Sequence, residues 1–176
     1  SMRPLPFYLV LLIEKEIKME TRDRKYYSLD ELGMIDGLVI HCSDPKWRKA
    51  FEKFLEEEIG LNHYALIAIP GSVSSISVEM SLPKRLKVLK DYMEFMVEHG
   101  KTLRLVIINH DGCRMYKKLE SLFRNTIEQQ QTEDLAKAVV LFKKLFPSLI
   151  DIQIYMAKVD QTRTTDPVYF EKIAAT

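Results

Sequence analysis

The chain has 176 residues, of which 47% are hydrophobic and 29% are charged. This length and composition allow a buried core, exclude disorder as the main state, and favour one domain or one domain with an arm. Lys and Arg total 26 and Asp and Glu total 25, so the formal charge is +1. Such a balance gives no general electrostatic reason to bind nucleic acid, and we expect no nucleic-acid partner.

The longest apolar run near the start, residues 7–13, is too short to cross a bilayer, which takes about 20 residues. It also lacks the charged start and the cleavage site of a signal peptide, so we expect no membrane association. Two cysteines cannot staple a fold of this size. A reducing, cytoplasmic compartment is therefore expected, where paired cysteines more often serve a metal or a reaction than a disulfide.

Residues 1–36 are predicted to form an N-terminal arm, which could pack on a partner subunit, and residues 37–176 a single α/β domain. Within the arm, residues 7–19 fit a helix and an edge strand equally well. The domain opens with a short apolar run, residues 37–42, that is rich in β-branched residues and typical of a buried parallel strand. Asp44 and Pro45 then suit the N-cap and first position of a helix ending near Gly60.

A second buried strand is predicted at residues 64–69 and a third at residues 103–109, with a helix over residues 81–100 between them. A longer helical region covers residues 115–146. Its polar run at residues 129–131 predicts a break, after which Thr132 would cap the second half.

A last strand is predicted at residues 150–156, where apolar and polar residues alternate as in a strand with one buried face. Strands and helices thus alternate along the chain. This order predicts an α/β fold with a parallel-sheet core of about four strands flanked by helices. In such sheets, ligands bind at the carboxyl ends of the strands.

Both cysteines of the chain and one histidine fall at these strand ends. Cys42 ends the first predicted strand, His110 follows the third, and Cys113 comes three residues later. A His-x-x-Cys pair can bind one ion, and a residue from another strand completes three ligands. Two thiolates and an imidazole suit zinc, and three protein ligands leave a fourth position open for water or substrate.

Each of these residues also has a purely structural interpretation. Free cysteine is among the most buried residue types, and His110 could cap the next helix. The coincidence of all three residues at matching strand ends favours the metal.

Two motifs carry a family resemblance. Cys42-Ser43-Asp44 and His110-Asp111-Gly112-Cys113, each after a buried strand, resemble the motifs of the β-class carbonic anhydrases. The resemblance covers about residues 37–113 and implies a β-carbonic anhydrase-like fold. It further implies Zn²⁺ bound by Cys42, His110 and Cys113, and reversible hydration of CO2 to bicarbonate by a zinc-bound hydroxide. A homodimer is implied in the same way.

The resemblance also assigns roles near the metal. Asp44 would accept a hydrogen bond from the hydroxide and orient it, although in some family members the same aspartate binds zinc and closes the site. Lys46 stands where the family has arginine, and we place it with Asp44 among the catalytic residues although lysine cannot hold a carboxylate bidentately. Arg114 replaces the usual glycine, and it could lower a thiolate pKa, bind an anion or crowd the pocket.

Other interpretations stay open. A zinc-binding protein without catalysis, or a zinc hydrolase acting on another small substrate, would share this fold. A metal-free cysteine enzyme or redox protein would instead predict a low pKa at Cys113, beside a helix start and Arg114. Asp111 could support His110 or be an exposed loop acid, while His41 should face the other side of its strand. The loop at residues 70–72 could donate backbone amides to an anion or simply turn the chain.

Overall fold

The fold was analysed in a computed structural model that describes residues 35–78, 83–100 and 104–174, apart from the side chains of residues 99 and 100. Within these ranges five strands form one sheet in the order β2-β1-β3-β4-β5. The strands are β1 (Gly37–Cys42), β2 (Tyr64–Ile69), β3 (Arg104–His110), β4 (Asp151–Val159) and β5 (Val168–Lys172). The first four are parallel, which confirms the predicted fold class. β5, which adds an antiparallel edge beside β4, was not predicted from sequence.

Helices follow the first three strands. They are α1 (Arg48–Glu57), α2 (Pro83–Gly100), α3 (Arg114–Leu119) and α4 (Ile127–Leu145), with a short 3-10 helix, Glu120–Leu122, after α3. No helix in the described ranges combines the length and the apolar character needed to span a bilayer.

The break in the long helical region lies between α3 and α4, and the prediction of a break at residues 129–131 was wrong. Thr126 caps α4: its hydroxyl accepts from the Gln129 N–H at 3.3 Å, and the Gln129 side chain accepts from the Thr126 N–H at 3.2 Å. Thr132, the predicted cap, lies inside the helix. The polar run does not interrupt the helix because Gln130 and Gln131 are buried and find polar partners there.

The start of α1 also differs from the prediction. Residues 45–47 form a turn and the helix begins at Arg48, so Asp44 is not its N-cap. The Asp44 carboxylate accepts a hydrogen bond from the Lys46 N–H at 3.0 Å, and its carbonyl accepts from the Trp47 N–H at 3.2 Å. Asp44 therefore closes the turn that precedes the helix, directly after the loop from β1.

Alternate strand residues build a core on each face of the sheet. On one face Ile40 and Ile107 pack with apolar residues of α2 and α4. On the other face Val39 packs with apolar residues of α1 and β5, where the rings of Phe54 and Phe170 stack with centroids 3.8 Å apart. Covered on both faces, the sheet offers its carboxyl edge for a site.

The predicted arm, residues 1–36, lies outside the described residues except for its last two, so the domain division stays a prediction. Asp36 marks the entrance to the sheet, where its carboxylate accepts from the N–H groups of Asn62 and His63 at 3.1 and 3.0 Å. These bonds hold the starts of β1 and β2 together and favour the ionised carboxylate, which lowers the pKa of Asp36.

Candidate metal centre

Parallel pairing brings the three predicted metal ligands together. β1 and β3 pair from Leu38 with Leu105 to His41 with Ile108, so Cys42 and the end of β3 lie side by side at the carboxyl edge. The turn after β3 then places Cys113 at the start of α3. The two sulfur atoms and a ring nitrogen of His110 lie within 4.8 Å of one another, and all three residues are buried. No other group of three or more metal-ligand side chains is found in the described ranges.

The spacing of the two sulfur atoms fits zinc. The Sγ atoms of Cys42 and Cys113 are 3.8 Å apart, and both thiols are free. With Zn–S bonds of about 2.3 Å, tetrahedral geometry separates two sulfur ligands by about 3.8 Å. A disulfide would need a separation of about 2.05 Å. The pair is therefore spaced as two ligands of one ion.

The ring of His110 is oriented to supply the third ligand. Its Nδ1 lies 2.8 Å from the carbonyl oxygen of Asp111, and because a carbonyl only accepts, Nδ1 carries the proton and donates. Nε2 thus keeps its lone pair, yet it is buried and has no hydrogen-bond partner among the described residues. An unpartnered buried acceptor costs stability, and a metal ion would satisfy it. Trp47 packs against the ring with centroids 4.7 Å apart.

The hydrogen bond between the thiols separates their acidities. The Cys113 thiol and the Gly71 N–H, which lies 3.4 Å from the Cys42 Sγ, stabilise the Cys42 thiolate and lower the pKa of Cys42. The same hydrogen bond and burial raise the pKa of Cys113. In this pair the lowered pKa is that of Cys42 and not, as the metal-free alternative predicted, that of Cys113. A cation between the sulfurs would favour the loss of the second proton.

A buried polar network supports the backbone that carries two of the ligands. The side-chain amide of Gln131 donates to the His110 carbonyl at 2.8 Å. Asn109 donates to the Gln131 carbonyl at 3.1 Å and to the Tyr116 hydroxyl at 3.2 Å, and this hydroxyl donates to Asp134 at 2.8 Å. The network joins α4 to the end of β3 and to α3, so it fixes the segment that carries His110 and Cys113.

Asp134 closes this network in a fully buried position. Ser77 and Gln130 both donate to its Oδ1. Burial raises the pKa of the Asp134 carboxyl, and the hydrogen bonds from Ser77, Tyr116 and Gln130 offset only part of that effect. The network was not predicted from sequence. Its signal was polar residues on the otherwise apolar inward face of α4.

A pocket of about 490 Å³ opens beside Cys42. Asp44, Lys46, Arg114 and Lys118 line it, so three cations face one acid, and the local field favours an anion. Asp44 and Lys46 are both at the pocket, but their hydrogen bond runs through the Lys46 backbone N–H. The Lys46 side chain is therefore not what holds the Asp44 carboxylate.

The remaining predicted residues lie around the centre. His41 points to the face of the sheet opposite to that of Cys42, as expected, and its ring centroid lies 4.7 Å from that of Phe51. The Asp111 carboxylate accepts from the Val159 N–H at 3.3 Å, so the backbone carbonyl of Asp111, and not its side chain, supports His110. Pro70 in the loop after β2 lines the pocket.

Comparison with known proteins gives distant likenesses. No family model matches the sequence. An uncharacterised protein of Rickettsia bellii (strain RML369-C) is 24% identical over 145 residues, covering 80% of this chain and 85% of that protein.

Two solved structures resemble the fold. The β-carbonic anhydrase CafA of Aspergillus fumigatus matches with a TM-score of 0.44 and 15% identity, over 82% of this chain and 78% of that chain. β-Carbonic anhydrase isoform I of Trichomonas vaginalis matches with a TM-score of 0.39 and 14% identity, over 94% and 92%. Both are β-carbonic anhydrases, the family that the motifs at Cys42 and His110 resemble.

Proposed function

We propose that this chain binds one zinc ion through Cys42, His110 and Cys113 and catalyses the reversible hydration of CO2 to bicarbonate. One observation supports the metal above all: at the carboxyl edge of the sheet, two sulfurs 3.8 Å apart lie within 4.8 Å of a ring nitrogen of His110, whose Nε2 has no partner among the described residues. The choice of CO2 follows from the two sequence motifs. Zinc in such a site acts as a Lewis acid that lowers the pKa of water to about 7.

The residues around the ligands would orient and polarise the reactants. The Asp111 carbonyl fixes the His110 tautomer, so Nε2 is the ligating atom. Oδ1 of Asp44 accepts from the Lys46 N–H, which leaves Oδ2 to accept a hydrogen bond from a hydroxyl group in the pocket and so direct its lone pair. Asp44 would thus be a catalytic residue, positioned by the backbone of Lys46.

The charges of the pocket suit the product. CO2 is neutral and bicarbonate is an anion, so the cations of Lys46, Arg114 and Lys118 would stabilise charge that develops during hydration. Because these side chains line an open pocket, the stabilisation would weaken with rising salt. We further propose a homodimer in the cytoplasm, as the family resemblance implies, and its size in solution can be measured by light scattering.

The test is stopped-flow CO2 hydration across about pH 6.5 to 9 with protein of measured zinc content, since the bound-water pKa near 7 sets this window. We expect a rate that requires zinc and rises with pH, and that is lost in Cys113→Ser. A control variant at a surface position, Val140→Ala, should keep the rate, because this side chain is 67% exposed. One zinc per chain with no rate above buffer would refute CO2 hydration and favour a non-catalytic zinc protein or another zinc hydrolase.

The dithiol also supports a second candidate, a metal-free redox protein. The Cys42 thiolate lies next to the Cys113 thiol, so loss of two electrons and the remaining proton to an oxidant would join the two sulfurs. Alkylation of the purified protein distinguishes the candidates. Fast labelling that a chelator does not change would support the redox protein, and labelling that begins only after chelation would support the metal.

A further inference from the structure

A second pocket, of about 310 Å³, lies between the loop after β2 and the first half of α2. The side chains that matter here are those of Ser72, Ser75, Lys84, Arg85, Val88 and Tyr92. This pocket shares only Pro70 with the lining of the pocket at the metal centre. It is a separate cavity with its own chemistry.

Two serines in this pocket have unsatisfied hydroxyl groups. Ser72 is 1% exposed and Ser75 is 4% exposed, and neither Oγ has a hydrogen-bond partner among the described residues. Buried hydroxyl groups are nearly always paired, so two orphans in one loop call for an explanation. Both residues line the cavity, and a change of χ1 rotamer moves a serine Oγ between sides of the chain. Each Oγ is shielded from solvent, so a χ1 rotation that turns it towards the cavity would let a ligand oxygen satisfy it.

The backbone of the same loop is also strained. Ser72 has φ of +50°, a left-handed conformation that is unfavourable for residues other than glycine. Strained residues of this kind persist where the surrounding structure requires them, and they cluster at binding sites.

The charges of the pocket select an anion. Lys84 and Arg85 lie in the first turn of α2, which contains no acidic residue, and among the described residues no acidic side chain lines the pocket. Within the described ranges neither cation forms an ion pair. The guanidinium of Arg85 donates one hydrogen bond to Met115 Sδ at 3.2 Å, a weak acceptor, and its other N–H groups remain for a stronger one.

Beyond the two cations, the next turns of α2 give the pocket an apolar, exposed wall. Val88 and Tyr92, one helical turn apart, are 48% and 52% exposed although both line the pocket. An inorganic ion would leave these side chains in water, whereas a ligand with a hydrocarbon part would cover them. The pocket thus has its cations at one end and apolar surface at the other, and it suits an amphiphilic small molecule.

We propose that this pocket binds a small organic anion. Its carboxylate or phosphate group meets Lys84, Arg85 and the two serine hydroxyls, and its short hydrocarbon part packs on Val88 and Tyr92. The site is independent of the metal and of CO2 hydration.

The test is a titration of the zinc-loaded full chain, followed by backbone amide NMR shifts, with hexanoate and hexyl phosphate as probes. Hexanol supplies the hydrocarbon without the charge, and acetate and inorganic phosphate supply the charge without the hydrocarbon. We expect saturable shifts at residues 72–75 and 84–92, and binding of at least one of the two anionic probes roughly tenfold tighter than binding of hexanol. The stronger of the two anionic probes identifies the head group.

Variants make the test specific. Lys84→Gln with Arg85→Gln should weaken binding of the anionic probe roughly tenfold and leave hexanol unchanged, and Ser75→Ala should weaken the same probe less. Lys87→Gln, an exposed position on the same helix outside the pocket lining, should change nothing. Equal affinity for hexanol, shifts centred on Cys42 and His110 that vanish in Cys113→Ser, or no saturation by about 10 mM would each overturn the proposal.

Discussion

The side-chain amide of Gln131 donates a hydrogen bond to the backbone carbonyl of His110 across 2.8 Å. Gln131 lies on α4 and His110 ends β3, so this bond fixes a ligand-bearing strand end to the helix that covers it. Because a ring nitrogen of His110 also lies within 4.8 Å of the two thiol sulfurs, a shift of α4 would move a candidate metal ligand.

Replacing Gln131 by alanine should weaken both the fold and the metal site. The change leaves a buried carbonyl without its donor, and we expect a loss of about 1–3 kcal/mol in unfolding free energy, measured by urea titration. Zinc affinity, measured by competition with a chelator, should fall about 10–100-fold, as is typical when a group that orients a metal ligand is removed. Val140→Ala on the exposed side of the same helix is the control. A stability loss with unchanged zinc affinity would restrict Gln131 to a structural role.

The buried Asp134 carboxyl predicts a pH dependence of stability. Its folded-state pKa lies above the usual 3.8, chiefly because of burial, so the folded protein holds this proton more tightly than the unfolded chain does. The contribution is fully present below pH 3.8 and is lost as the pH rises through the folded pKa. Asp134→Asn mimics the protonated carboxyl and lacks this loss. The variant should therefore gain stability relative to wild type as the pH rises, in paired urea titrations. A constant difference across pH would contradict the upward shift.

Asp44 and Lys46 should respond very differently to substitution. Asp44→Asn removes the carboxylate that would orient the nucleophile, so we expect CO2 hydration to fall about 10²-fold or more with zinc content unchanged. Lys46→Ala keeps the backbone N–H that holds Asp44 and should retain most of the rate. The measurement is stopped-flow hydration at matched zinc content. If both variants lost activity equally, the Lys46 ammonium would be doing the orienting instead.

Two glycines with the same backbone conformation form a matched pair of tests. Gly60 has φ of +74° with no atom of a described residue within 4 Å of an added Cβ, so Gly60→Ala should cost about 1–2 kcal/mol of unfolding free energy through backbone strain alone. Gly71 has φ of +79°, and its added Cβ would meet Met115 Cγ at 2.8 Å. Crowding should add about 1–3 kcal/mol for Gly71→Ala.

The Gly71 change should also reach the metal. The Gly71 N–H donates to Cys42 Sγ at 3.4 Å, so movement of this loop would disturb a ligand, whereas Gly60 lies at the far end of α1. We expect weaker zinc binding for Gly71→Ala and unchanged binding for Gly60→Ala, both measured by chelator competition. Equal zinc affinity in the two variants would argue against a role of the loop in holding the site.

The sheet could be predicted from sequence because its buried strands are continuous apolar runs. Residues 37–42 and 64–69 were predicted at their observed bounds, and residues 103–109 within one position of β3. The antiparallel β5 was missed since its five residues carry no strong pattern and half-bury their side chains. It is held by pairing with β4 and by the stacking of Phe170 on Phe54, contacts between residues distant in sequence.

The candidate ligands could be found from sequence because the carboxyl ends of parallel strands lie side by side. Cys42 and His110 could therefore be assigned to one site without a measured distance. The supporting network could not be found in this way. Gln130 and Gln131 look like a helix interruption in a linear pattern, and only the fold shows that they face buried polar partners. The prediction that Asp44 caps the first helix was wrong for a related reason, since a carboxylate before proline caps a turn as readily as a helix.

Cys42 and Cys113 are 71 positions apart along the chain and meet only after β1 has paired with β3. The unfolded chain therefore lacks a comparable set of metal ligands. An ion bound by these side chains would link the segments that follow β1 and β3, which are distant in sequence. The apolar core on each face of the sheet stabilises the fold, and the binding free energy of the ion would add to the free energy of unfolding. Metal supply would then control how long each molecule survives against unfolding and proteolysis, and with it the steady-state amount of the protein.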